Sequence, residues 1–203
     1  MKIRYKIEFF SEWHCGSGLA AGADVDALVI KDRNGLPFVP GKTMKGLLRE
    51  TVEELVAFRG LSKSLLVTLF GNSADRNNKD GGLEADTMQQ GAVYFTNAVL
   101  AEEYQLLIKQ EHLQEFLFNT VSATRLTDEG VAQKHSLRRI QSVLPCVLYG
   151  EILDIPTSEM RQLLIDGLSM IKRLGVGRNR GLGRCLCTTD EKEKGGENES
   201  SEF

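Results

Sequence analysis

Residues 2–9 alternate strictly. Ile3, Tyr5, Ile7 and Phe9 fall on one side of an extended segment, and Lys2, Arg4, Lys6 and Glu8 on the other. A period of two predicts a half-buried β-strand. The period then changes. From Thr43 to Phe58 the apolar residues Met44, Leu47, Leu48, Val52, Leu55 and Val56 recur at helical steps, predicting an amphipathic helix after the Pro40-Gly41 break. A second stripe, Met160, Leu163, Leu164, Leu168, Ile171 and Leu174, predicts a helix opened by Pro156-Thr157 and stopped by Gly175. Shorter apolar runs predict strands over 26–31 and 36–39, flanking a tight turn at Arg33-Asn34-Gly35, and over 93–100, 144–153 and 184–188. Strand, helix, strands, helix, strand is the order of an α+β, ferredoxin-like (RRM-like) core with inserted loops.

Three stretches carry no such period. Residues 14–24 are small and Gly-rich, which predicts a loop where backbone approaches something closely. Residues 71–90 are polar and Gly-rich, long enough for a functional loop. Residues 119–135 are polar throughout.

Composition adds limits. A chain of 203 residues, 41% hydrophobic, suits one domain over 1–189. It has no apolar run of about 18 residues and no secretory pattern near its start, so a cytoplasmic protein without a membrane partner is expected. The formal net charge of −3 conceals an asymmetry. Residues 190–203 hold six acids and two lysines, a net of −4, which leaves +1 on residues 1–189. That acidic tail is expected to be disordered, and any anion site must come from local basic clustering. Cys15, Cys146, Cys185 and Cys187 form no Cys-x-x-Cys pair, so they are expected to be buried thiols rather than zinc ligands.

Candidate chemistry lies in three segments. In Leu36–Glu50 a strand ends at Pro40-Gly41 and a helix begins with Lys42, Thr43 and Lys45 in its first turn, with Arg49 one turn on. Free N–H groups and cations there suit a phosphate. Gly41-Lys42-Thr43 resembles a nucleotide-binding loop, but the motif's first glycine is missing, because Leu36 stands in its place. In Leu174–Cys185 the glycines Gly175, Gly177, Gly181 and Gly183 are interleaved with Arg178, Arg180 and Arg184. This favours a loop that grips a nucleic-acid backbone. It follows a helix and precedes a strand, the reverse of a dinucleotide-binding turn. The third segment, residues 22–34, holds Asp24, Asp26 and Asp32. Asp32 reads as a turn residue. Asp24 or Asp26 could ligand a divalent metal or assist attack by a ribose 2′-hydroxyl, and chemistry alone does not rank them. A lone histidine at a strand end, His14, is more often structural than catalytic.

Taken in order, these segments resemble the RAMP superfamily of CRISPR-associated proteins, in particular the backbone subunits of type III effector complexes. The resemblance rests on Trp13-His14-Cys15-Gly16-Ser17-Gly18, on Asp26-Ala27-Leu28-Val29-Ile30-Lys31-Asp32, and on Pro40 to Gly46 with Arg49 in place. It continues through Leu69-Phe70-Gly71, through Arg125-Leu126-Thr127 with Ala132 downstream, and through the glycines from Gly175 to Gly183. Lys42 stands where the family has a small hydroxyl residue, and 71–90 has no counterpart.

The resemblance implies that copies of the chain, or related RAMP subunits, stack along a guide RNA with other type III complex subunits. A thumb-like hairpin near Arg125 and Thr127 would displace a base at intervals. His14, Gly16, Gly18, Gly41, Lys42, Thr43, Lys45, Arg49 and Arg125, with the loop residues Gly175, Gly177, Arg178, Arg180, Gly181 and Gly183, would form the RNA-binding surface. A loop aspartate would cut the complementary target RNA with magnesium or another divalent metal. Strand register places that role, and the metal, on Asp26, with Asp24 the fallback. The competing readings are a non-cleaving structural RAMP subunit, a repeat-processing endoribonuclease using His14, and an RRM-type module, which the 7% aromatic content and the lack of an aromatic sheet motif disfavour.

Overall fold

A computed structural model describes residues 1–20, 25–72, 89–125 and 127–190. Asp24, Leu126, most of the 71–90 loop and the acidic tail beyond Asp190 lie outside the described residues. In chain order the elements are β1 (Ile3–Phe9), α1 (Gly41–Phe58), α2 (Ser64–Phe70), β2 (Tyr94–Phe95), α3 (Glu102–Gln110), β3 (Phe118–Ala123), β4 (Arg138–Val143), β5 (Val147–Leu153), α4 (Ser158–Met170) and β6 (Cys185–Thr189).

Four strands form an antiparallel sheet in the order β2-β5-β1-β6. Taken with α1 and α4, the sequence β1-α1-β2-β5-α4-β6 is the ferredoxin-like core. The alternation of β1 holds: Ile3, Tyr5, Ile7 and Phe9 are buried, as are Leu148 and Ile152 of β5 and Cys185 and Cys187 of β6. The opposite face keeps its charges, where Glu151 meets Arg4 at 2.8 Å and Lys2 at 3.6 Å. Tyr5 lies across from Gly150, and any side chain at 150 would strike its ring. The two helices approach each other closely at Gly167, where a Cβ would stand 2.8 Å from Val52 Cγ2 and 2.9 Å from Leu48 Cδ1.

Several expectations need correction. The 26–31 and 36–39 segments form no ladder with each other. One bridge, Lys31 to Pro37, joins them; the others go elsewhere, Ala27 to Ile140, Val29 to Gly16 and Val39 to Ala98. The turn between them is as predicted, with the Asp32 carboxylate accepting the N–H groups of Asn34 and Leu36. The 93–100 strand shrinks to Tyr94–Phe95, with isolated bridges at Ala98 and Val99. The strand expected over 144–153 starts at Val147. The second helix begins after Thr157, whose hydroxyl accepts the Met160 N–H at 3.2 Å, but it ends at Met170. Gly175 does not stop it; Ile171 already has extended backbone.

The polar stretch 119–135 hides a hairpin. β3 and β4 pair antiparallel from Phe118–Val143 to Ala123–Arg138, forming a separate two-stranded sheet. Half of its strand residues are exposed and the buried pair, Ser142 and Val143, are adjacent, so neither strand carries the alternation that sequence reading relies on. This is the thumb-like insertion. Its base is tied to the core: Glu12 accepts hydrogen bonds from Ser142 Oγ and Asn119 Nδ2 at 2.7 and 2.9 Å. Lys31 lies 3.8 Å from the Phe118 ring centroid. Helices α2 and α3 were not predicted. Among the described residues, no helix is long and apolar enough to cross a membrane.

Replacing Gly167 with leucine forces atoms into the α1–α4 contact. The variant is expected to lose about 1–3 kcal/mol in urea-melt stability. An unchanged midpoint would mean the helices separate freely.

Candidate nucleic-acid interface

The Gly-rich segment from Leu174 to Arg184 doubles back on the end of β1. Gly175 has φ +94°, and a Cβ there would collide with the His14 carbonyl, which accepts the Val176 N–H at 2.9 Å. Gly183 has φ +71°, and a Cβ there would collide with the Leu174 carbonyl. Leu174 N–H donates to the Gly183 carbonyl at 2.8 Å, and Gly183 N–H donates to the Glu12 carbonyl at 2.7 Å. These glycines are required by contact between backbones. The arginines the loop carries are not used that way: Arg178, Arg180 and Arg184 are exposed.

The clasp fixes His14, which is 2% exposed. Phe9 and Trp13 stack with centroids 4.6 Å apart, and Trp13 is bridged to Val143 at the end of β4. His14 Nδ1 then meets the Gln141 carbonyl at 2.5 Å. A carbonyl only accepts, so Nδ1 carries the proton and a neutral ring keeps Nε2 as its acceptor. Nε2 would lie 3.2 Å from a Cβ at Gly16, so a side chain there would press on the ring.

Over this floor lies a cleft of about 380 Å³. One wall is the α1 face carrying Lys42, Thr43, Gly46, Leu47 and Glu50; the other is Leu174, Gly175, Val176 and Arg178. Two of the three segments with candidate chemistry thus meet, along with His14, Cys15 and Gly16. Cys15 contributes apolar surface, because burial pushes its thiol up to about 12 and keeps it neutral.

The interface continues past the glycine-rich loop. Arg180, two residues beyond Arg178, lines a second depression of about 710 Å³ with Arg125, Lys134, His135 and Arg138. Hairpin and loop therefore share one basic track. Sequence reading singled out Arg125 and Arg180 but missed Lys134, His135 and Arg138. The signal was present as a run of cations over 134–139.

Other expected residues stand apart. Lys45 does not line the cleft, and Arg49 turns to the Gly71 carbonyl, to which its Nη1 donates at 3.2 Å. Gly41 is buried; its N–H donates to Asn97 Oδ1 at 3.0 Å, and a side chain would strike the Phe95 carbonyl. Thr127 organises the hairpin tip. Its hydroxyl accepts the Val131 N–H at 3.4 Å and, as the main cause, holds the Glu129 carboxyl below its usual range. Gly18 and Gly181 are exposed, and Gly177 packs on Leu182.

Asp26 sits where the loop crosses the hairpin. Its N–H donates to the Arg139 carbonyl at 2.8 Å, and its Oδ2 accepts the Arg139 N–H at 2.7 Å. Its side chain is exposed. Among the described residues no group of three or more His, Cys, Asp or Glu could hold a metal ion. Asp26 could offer a divalent cation a single protein carboxylate, with the other ligands coming from outside the chain.

The fold and the basic track define a ferredoxin-like protein with an inserted hairpin and a face of clustered basic side chains. The family follows: the chain matches the RAMP superfamily over residues 6–186 and belongs to it. No curated protein sequence matches the chain. A chain in the cryo-EM structure of a type III-B Cmr-beta bound to cognate target RNA shares the fold. Its TM-score is 0.71 at 9% identity, over 95% of this chain and 98% of that one. A chain in the apo-state cryo-EM structure of type III-B Cmr-beta gives a TM-score of 0.66 at 10% identity, over 94% and 98%.

Two outcomes are expected. Gly183→Ala pays about 1–2 kcal/mol for left-handed backbone alone, and the Leu174 collision adds to it. A thermal melt should show a clear fall. Alkaline pH should also destabilise the fold. Burial raises the thiols of Cys15 to about 12 and Cys146 to about 11, so the unfolded chain releases these protons first. Their contribution is complete below the ordinary thiol pKa and declines as pH climbs toward 11 to 12. Denaturant melts of a Cys15→Ala/Cys146→Ala double variant should show a shallower decline than the parent.

Proposed function

We propose that this chain is a guide-RNA-binding backbone subunit of a type III CRISPR interference complex, and that it cuts complementary target RNA at Asp26. The observation that carries the reading is that the glycine-rich loop borders two neighbouring depressions, one shared with α1's first turns and one with the outer end of the hairpin. The structural relative with cognate target RNA bound supports the same reading.

The track suits a phosphate backbone. Lys42, Arg178, Arg180, Arg125 and Arg138 supply charge without reading sequence. That is what a protein needs when base pairing does the recognition. Copies stacked along one guide, with related subunits, would extend the track. The hairpin would separate guide from target at intervals and bring the target strand past Asp26.

At Asp26 the reaction is transesterification. The carboxylate accepts a proton from a target 2′-hydroxyl, whose oxygen attacks the adjacent phosphorus as the 5′-oxygen leaves and takes up a proton. A divalent metal, when bound by Asp26 together with the RNA, would neutralise charge developing on the phosphate. The backbone bonds to Arg139 hold the aspartate at the hairpin's edge.

Cleavage of guide-complementary RNA by the assembled complex with magnesium tests this. Wild type should give regularly spaced products, and Asp26→Ala should abolish them while guide binding persists. Unchanged cleavage would remove the role from Asp26. For the track, Arg178→Ala and Arg180→Ala should each weaken RNA binding. Each should also reduce the slope of log affinity against log salt by about 0.7, the loss of one single-strand phosphate contact.

A further inference from the structure

One residue in the cleft has the wrong charge for a phosphate. Thr43, Gly46, Leu47 and Glu50 follow one another at helical steps along the same face of α1. Glu50 therefore lies about 10 Å along the helix from Thr43, away from the cations at the helix start. Its side chain is exposed, and among the described residues no hydrogen bond or ion pair engages its carboxylate. It lines the same cleft as Lys42 and Arg178, so a strand that follows the cleft along α1 passes it.

A carboxylate beside phosphates is repulsive unless the ligand offers it a donor. A nucleic-acid strand has two kinds: base N–H groups and the ribose 2′-hydroxyl. The choice between them rests on the guide-binding reading. A guide differs in sequence from one RNA to the next, and its base edges must stay open for pairing. A fixed acceptor therefore cannot depend on a base. The 2′-hydroxyl is present at every RNA nucleotide and absent from DNA.

We propose that Glu50 accepts a hydrogen bond from a ribose 2′-hydroxyl of the strand held in this cleft, and so selects RNA over DNA. In RNA the donor offsets the repulsion. In DNA the carboxylate faces a bare C2′ and the repulsion stands.

The test is binding of the full chain to labelled single strands of one sequence, made as RNA, 2′-deoxy and 2′-O-methyl forms, for wild type, Glu50→Ala and Glu50→Gln. Wild type should prefer RNA by about tenfold or more, the range of a charged hydrogen bond. The 2′-O-methyl strand accepts but does not donate, and should bind as weakly as DNA. Glu50→Ala should bring the RNA-to-DNA ratio toward one without weakening DNA binding. Glu50→Gln, which keeps an acceptor oxygen, should retain part of the preference. A structural role for Glu50 would lower all affinities together. A ratio unchanged in Glu50→Ala, or equal binding of RNA and DNA by wild type, overturns the inference and leaves the guide-binding reading intact. Failure of wild type to bind any RNA overturns both.

Discussion

Between Leu174 and Gly183 the chain returns so tightly that backbone rests on backbone where a side chain could not stand. The rest of the interface depends on that clasp. Through Gly175 and Val176 it grips His14, and through Gly183 it grips Leu174 and Glu12. The exit of β1 is thereby held under the start of α1, and a cleft exists between them. Without it Arg178 and Arg180 would sit on an unattached loop, and neither depression would have its third side.

The same economy runs through the core. The sheet is antiparallel, with its apolar face under two helices, and close approach is arranged by glycine at Gly150 and Gly167. The hairpin hangs from this core through Glu12, Trp13 and His14, the residues that leave β1. Strand exit, hairpin base and glycine-rich loop thus form one knot. Buried hydrogen bonds and a stacked Phe9–Trp13 pair hold it in place.

The interface separates two jobs. Trp13 and His14 of the knot are buried, while the cations on its rim, Arg178 and Arg180 among them, are exposed. Arg49 and Lys45 show how far sequence can mislead here. They sit on one face of α1, as their spacing requires, but neither lines the cleft, and Arg49 bonds to the Gly71 carbonyl instead. Glu50, which sequence reading did not single out, is on the face that does.

What the sequence determined by itself was periodicity and conformation. A two-residue period marked β1, helical stripes marked α1 and α4, and four glycines among arginines marked the loop. These patterns are local, arising from the pitch of each element and from glycine's freedom. The tertiary structure decided the rest. It broke the 26–39 segment into single bridges because its outside partners, Gly16, Ala98 and Ile140, lie on three different parts of the chain. It revealed the hairpin, whose half-exposed strands leave no alternation to read. It also chose which face of α1 meets the loop. Spacing shows which residues share a face, but only packing decides what that face sees.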